Sequence, residues 1–134
     1  LSLVAPSARV AVLPPLHGLT TGALIAAAVR LGGLSATDNE EVLGRLAHYA
    51  KPLGLAFQVV DDILDGTADT QTLGKQAGAD HEKHKPTFLS VLGEEAARDY
   101  ARELTEAAIQ ALDGVELDGR LLTVLARFTL ERAY

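Results

Sequence analysis

The sequence predicts an all-α fold, and three observations carry that prediction. Ala and Leu dominate the apolar residues, while only three Phe, three Tyr and no Trp are present. β-branched runs are few, which points away from sheet. Apolar residues recur at three- and four-residue steps through most of the chain, the period of a helix.

The elements follow in order. Residues 1–18 are interrupted by Pro6, Pro14 and Pro15 and hold no period, so they read as an irregular segment. Thr20 or Thr21 is a good N-cap for a helix over Gly22 to Leu31, which Gly32-Gly33 is expected to stop. Asp38 and Glu41 have the spacing of a capping box. The stripe Val42, Leu46, Tyr49, Ala50, Leu53, Phe57, Val60 and Leu64 then marks a long helix, with Pro52 expected to kink or divide it and Gly66 to cap it. From Gly66 to Pro86 there is no apolar period, only Gly, Asp, Thr and Lys, which reads as a long functional loop. A short helix from Thr87 ends at Gly93, and an amphipathic one runs from Glu94 to Leu112 with Ala97, Tyr100, Ala101, Leu104 and Ala108 on one side. Gly114 stops it, and Asp118 caps a last helix carrying Leu121, Leu122, Leu125 and Phe128.

Composition bounds the function. The 134 residues, 48% of them apolar, suit one domain. Zero Cys excludes disulfides, thiolate zinc sites and cysteine nucleophiles. Eighteen acidic against twelve basic residues, spread along the chain, argue against nucleic acid as a partner. No apolar run approaches the roughly 18 residues of a transmembrane segment, and no basic leader precedes the opening residues, so the expectation is a soluble, cytoplasmic protein. The absence of Met predicts a fragment.

The chemistry concentrates on Leu53 to Asp65. At about 100° per residue, Gln58, Asp61, Asp62 and Asp65 share one arc of a helix. Phe57, Val60, Leu64 and Leu53 fill the neighbouring arc, and Ala56, Val59 and Ile63 the far side, which predicts a buried central helix with one polar stripe. Adjacent Asp residues near a helix end ordinarily mark a solvated terminus, but these flanks are apolar. A buried carboxylate takes up a proton, finds a cation or binds a metal. Oxygen-only ligands suit Mg²⁺, which bridges protein carboxylate to substrate phosphate, and Asp61 and Asp65, one turn apart, could share one ion. Oxygens turned to open water, or paired with arginines, would count against this. Lys75, Lys83 and Lys85 follow in the loop and could meet a phosphate; surface lysines are the plainer alternative. Gly74-Lys75 lacks the P-loop spacing. His81 and His84 have no further His or Cys ligand nearby and read as loop histidines rather than a zinc site.

The run Phe57-Gln58-Val59-Val60-Asp61-Asp62-Ile63-Leu64-Asp65, followed by Gly74-Lys75-x-x-Gly78-x-Asp80 and Lys85-Pro86-Thr87, resembles the second aspartate-rich motif and following loop of the trans-isoprenyl diphosphate synthases. These form the polyprenyl synthetase family, and the farnesyl diphosphate synthase type is the nearest match. Thr21-Gly22-Ala23-Leu24-Ile25 resembles the family's Lys-Thr-Gly-x-Leu helix start, and Leu125 to Arg132 its closing helix. The resemblance covers about Leu19 to Tyr134.

It implies a helical bundle of the isoprenoid synthase type, here partial, around a deep cavity, and condensation of isopentenyl diphosphate with an allylic diphosphate. It implies that Asp61, Asp62 and Asp65 hold Mg²⁺, that Gln58, Lys75 and Lys85 contact the allylic diphosphate or its metal, and that Thr21 joins the substrate-binding and catalytic groups with Gln58 and Lys75. A homodimer is the family habit. Two departures stand out. The family's other aspartate-rich motif has no counterpart between Leu1 and Leu19, and its Lys before Thr-Gly is Thr20 here. Residues 19–134 therefore read as the C-terminal half of such a synthase, with too few groups to catalyse condensation alone. The alternative is a non-catalytic helical subunit that pairs with a full-length synthase. A terpene cyclase would present Asn and Ser or Thr before Glu as second-site ligands, which are not seen.

Overall fold

The computed structural model describes residues 19–72 and 86–134. Among these it is all helix: α1 (Leu19–Ala36), α2 (Glu40–Thr72), α3 (Phe88–Leu92), α4 (Glu94–Gln110) and α5 (Arg120–Glu131). Segment 1–18, and Lys75, His81, Lys83, His84 and Lys85, lie outside the described residues.

The bundle is built on α2, against which α1, α3, α4 and α5 all pack. Its first half buries Val42, Leu43, Leu46, Tyr49 and Leu53 with Ala108, Ala111 and Leu112, from the end of α4 and the turn after it. Its second half buries Val59, Val60 and Ile63 with Phe88 and with Ala97 and Ala101 from the start of α4. The two long helices therefore run antiparallel, and small Ala side chains on α4 let them lie close. Thr105, fully buried in the same face, returns its hydroxyl proton to the Ala101 carbonyl at 2.8 Å.

Several expected boundaries move, each for a physical reason. α1 already contains Thr20 and Thr21, and it runs through Gly32-Gly33 to Ala36. Gly33 does not stop the helix; it makes room, because a Cβ there would sit 2.7 Å from Leu46 Cδ1 and 3.0 Å from Leu43 Cδ2. Gly54 on α2 serves the same purpose, since its Cβ would lie 3.2 Å from Gly22 Cα. The cap of α2 is Asn39 rather than Asp38: its Oδ1 accepts the Glu41 N–H at 2.9 Å and the Val42 N–H at 3.3 Å.

Pro52 does not divide α2. Proline removes one helical donor, so the His48 carbonyl one turn back loses its partner, and exposed His48 leaves that carbonyl within reach of water. Nor does Gly66 end the helix, which continues to Thr72 with the Thr67 hydroxyl bonded back to the Ile63 carbonyl at 2.8 Å. Gly66 is instead where the Leu89 side chain of α3 lies flat on α2, in the space a Cβ would take.

The ends of the later helices are closer to expectation. Thr87 caps α3 through a reciprocal capping box with Ser90, and Gly93 closes it at φ 86°. α4 stops at Gln110, and Gly114 takes φ 85° in the turn beyond. The last helix is capped by Gly119 rather than Asp118; Asp118 instead accepts the Arg120 N–H at 3.2 Å and pairs with its guanidinium at 2.7 Å, which holds the Asp118 carboxyl down at about 2.

The face of α5 is inverted relative to a simple amphipathic helix. It turns Ala126 and Thr129 inward and leaves Leu121 79%, Val124 62%, Leu125 49% and Phe128 59% exposed. Leu24 and Leu31 of α1 are exposed as well. Large apolar side chains left open in this number ordinarily meet another surface.

Tyr49 is fully buried and donates its hydroxyl to the Leu122 carbonyl at 2.7 Å, joining α2 to α5. Tyr49→Phe should lower stability by about 1 kcal/mol in urea unfolding. Burial pushes the Tyr49 phenol up to about 12, against about 10 in an unfolded chain. Its stabilising contribution is therefore complete below the unfolded value and lost as pH rises through the folded one. In alkaline unfolding the Tyr49→Phe chain should lose less stability between these two values than the parent chain does.

Candidate functional site

The stripe Gln58, Asp61, Asp62 and Asp65 occupies one edge of α2, opposite the inaccessible Ala56, Val59, Val60 and Ile63. Phe57 and Leu64, on the adjoining arc, are only partly buried. The helix is thus sealed on one half, while on the other the start of α3 covers Asp62 and leaves Phe57, Gln58, Asp61 and Leu64 partly open and Asp65 exposed. The expectation of burial all round holds only in part, because α3 is too short to cover the whole stripe.

The three carboxylates have three different surroundings. Asp62 is the buried one, at 7% exposure; its Oδ2 accepts the Phe88 N–H at 2.9 Å and its Oδ1 the Gln58 amide N–H at 3.2 Å. Asp61 is half-exposed and pairs with Arg132, Nη1 to Oδ1 at 3.2 Å. Asp65 is exposed. Of the three, Asp62 alone is buried, and each of its two oxygens accepts an N–H. Among the described residues no three acidic or histidine side chains gather closely enough to cage a metal.

Arg132 is the site residue that pattern reasoning on α2 did not find. Its only signal was the likeness of the closing helix. Its guanidinium lies over the Phe57 ring, 4.4 Å from the centroid, and its buried Nη2 has no hydrogen-bond partner among the described residues. α4 holds the chain end that carries it. Arg98 donates to the Ala133 carbonyl and lies over the Tyr134 ring at 4.9 Å, with Arg102 over the same ring at 5.5 Å. The last turn of α5 is thereby latched in place with Arg132 beside the stripe.

The structure brings some of the sequence-derived residues together. Gln58, Asp61, Asp62 and Asp65 share one edge, and Thr21, partly buried, lies next to Gly22, whose backbone touches Gly54 one turn before Gln58. Lys75 and Lys85 are outside the described residues. Mg²⁺ is ordinarily held by one or two carboxylates, completed by water and phosphate oxygens rather than by an all-protein cage. Two features that count against a metal are present, since Asp61 pairs with Arg132 and Asp65 is exposed; what remains in its favour is that Asp61 and Asp65 lie one turn apart on one edge, beside an Arg132 Nη2 suited to a phosphate oxygen.

The Asp61–Arg132 pair is partly solvated, so its worth is small. A double-mutant cycle on Asp61→Asn and Arg132→Gln should give a coupling of about 0.5–1 kcal/mol in urea unfolding, shrinking at high salt.

Comparison with known proteins places the chain. Residues 16–117 match the family model for polyprenyl synthetase. The chain is similar to the farnesyl diphosphate synthase of Escherichia coli (strain K12), 48% identical over 124 residues that cover 90% of this chain and 42% of that protein. It is 40% identical over 119 residues to a dimethylallyltranstransferase of Fischerella ambigua, covering 89% of this chain and 34% of that protein. It is 39% identical over 103 residues to the mitochondrial geranylgeranyl pyrophosphate synthase 6 of Arabidopsis thaliana, covering 77% and 31%. The chain thus spans less than half the length of these relatives. The matched region takes in the stripe on α2 and both helices packed along its length, and the chain belongs to the polyprenyl synthetase family.

Proposed function

We propose that this chain is the C-terminal part of an Mg²⁺-dependent prenyltransferase that condenses isopentenyl diphosphate with an allylic diphosphate of the farnesyl or geranyl type. The single observation that carries the reading is the placement of Asp61 and Asp65 on the open edge of α2, beside a partly open apolar arc and a guanidinium with a spare donor. The prenyltransferase relatives supply the substrate class.

The aspartate-rich motif of Asp61, Asp62 and Asp65 would hold the metal through Asp61 and Asp65, the two side chains open to it. When bound, Mg²⁺ offsets the charge that develops on a departing diphosphate. Gln58 presents its amide beside the carboxylates, Thr21 presents a hydroxyl from α1, and Lys75 and Lys85 supply cations to the diphosphate oxygens. Phe57 and Leu64 form an apolar wall along the same edge and exclude water from the reacting carbons. In the longer relatives, more than half of the length lies outside the region matched here. We assign to the corresponding part of the whole enzyme the cover for the exposed apolar faces of α1 and α5, and the second set of metal ligands. A cytoplasmic homodimer belongs to the same reading. No described helix is long and apolar enough to cross a membrane.

Two measurements test this. Incubation of the purified chain with both diphosphates and Mg²⁺ should yield no longer prenyl product, whereas a reading frame extended upstream to an Asp-Asp-x-x-Asp motif should yield one. Calorimetric titration with Mg²⁺ and diphosphate should show weak binding that Asp61→Ala and Lys75→Ala each reduce; unchanged binding would remove those residues from the site.

A further inference from the structure

Both oxygens of the Asp62 carboxylate are engaged inside the protein, and both engagements concern the geometry of the site. Phe88 is the first residue of α3, and the capping box of Thr87 and Ser90 satisfies only the Ser90 and Thr87 N–H groups. A helix start leaves further donors over. Asp62 Oδ2 takes the Phe88 N–H at 2.9 Å, in a buried bond that joins residues 26 apart in the chain. Phe88 itself is 3% exposed and packs 6.0 Å from the Tyr100 ring, while Leu89 lies in the space that Gly66 leaves on α2. The bond and the two side chains together seat α3 on the turn of α2 that carries Asp61 and Asp65.

The other oxygen fixes Gln58. A carboxylate only accepts, so the Gln58 group facing Asp62 Oδ1 at 3.2 Å is its NH₂, and the Gln58 carbonyl oxygen is the atom left to meet a ligand. We infer that Asp62 is a positioning residue rather than a metal ligand: it pins the start of α3 and orients Gln58, and a divalent ion is held by its neighbours Asp61 and Asp65. The inference rests on the prenyltransferase reading for the presence of the ion, but not for the anchor.

Asparagine separates the two roles. In Asp62→Asn the remaining oxygen still accepts the Phe88 N–H but the charge is gone, whereas Asp62→Ala removes the acceptor. Two quantities are read on the whole chain: hydrogen exchange of the Phe88 amide, and affinity for Mg²⁺ with inorganic diphosphate as the probe. Asp62→Ala should speed Phe88 exchange by about tenfold or more and weaken the probe by about tenfold. Asp62→Asn should restore Phe88 protection and, because its NH₂ turns the Gln58 amide round, leave the probe weakened by no more than about tenfold, while Asp61→Asn abolishes measurable binding and leaves Phe88 exchange unchanged. The inference is overturned if Asp62→Asn abolishes binding as Asp61→Asn does with Phe88 still protected, or if Phe88 exchanges equally in the parent and in Asp62→Ala. Should Asp62→Ala not fold, Asp62→Asn alone decides. If the parent chain itself does not bind the probe, the metal reading fails, and Phe88 exchange still decides the anchor.

Discussion

A carboxylate cannot be buried on an apolar helix unless donors surround it, and Asp62 is where that constraint organises the molecule. Two of its donors come from different directions: Gln58 on its own helix, and the backbone N–H of Phe88 at the start of the next. Satisfying Asp62 therefore requires α3 to be in place, and α3 in turn delivers Phe88 into the core and the chain into α4. The neighbours of Asp62 are released from the same burden. Asp61 and Asp65, one position before it and three after, fall to the more open edge of the helix, where Arg132 meets Asp61.

Around this point the bundle divides its labour along α2. The first half is occupied with closeness: Gly22 against Gly54, Gly33 against Leu43 and Leu46, and Tyr49 bonded to Leu122. The second half is occupied with charge, where α3 and the end of α5 bring one backbone donor and one guanidinium to two successive aspartates. The cation–π stack of Arg132 on Phe57 couples the apolar flank of the stripe to its polar edge.

Much of this was legible in the amino acids, and the rest failed for identifiable reasons. The helical period located all five described helices, and the Thr87 cap and the Gly93 stop fell where turn chemistry puts them. The stripe of Gln58 and three aspartates was legible because it depends only on spacing. Gly33 and Gly66 misled because a glycine that admits a neighbouring side chain looks, in sequence, like one that ends a helix. Asn39 displaced Asp38 as a cap by one residue, a distinction that backbone geometry decides and pattern does not. Nothing local reveals that Arg132 meets Asp61 across 71 residues, or that α5 turns its small residues inward; both depend on which helix packs beside which.

Pro52 gives the long helix a further property. It leaves one rung out of the hydrogen-bond ladder between the two halves of the core, just before the tightly crossed Gly54. A rod with one missing rung bends there before it bends elsewhere. Small flexing at that joint would carry Gly54 and the acidic turn together relative to the first half of α2, so that the reach of Asp61 and Asp65 toward a ligand is set about two and a half turns or more away from the oxygens that make it.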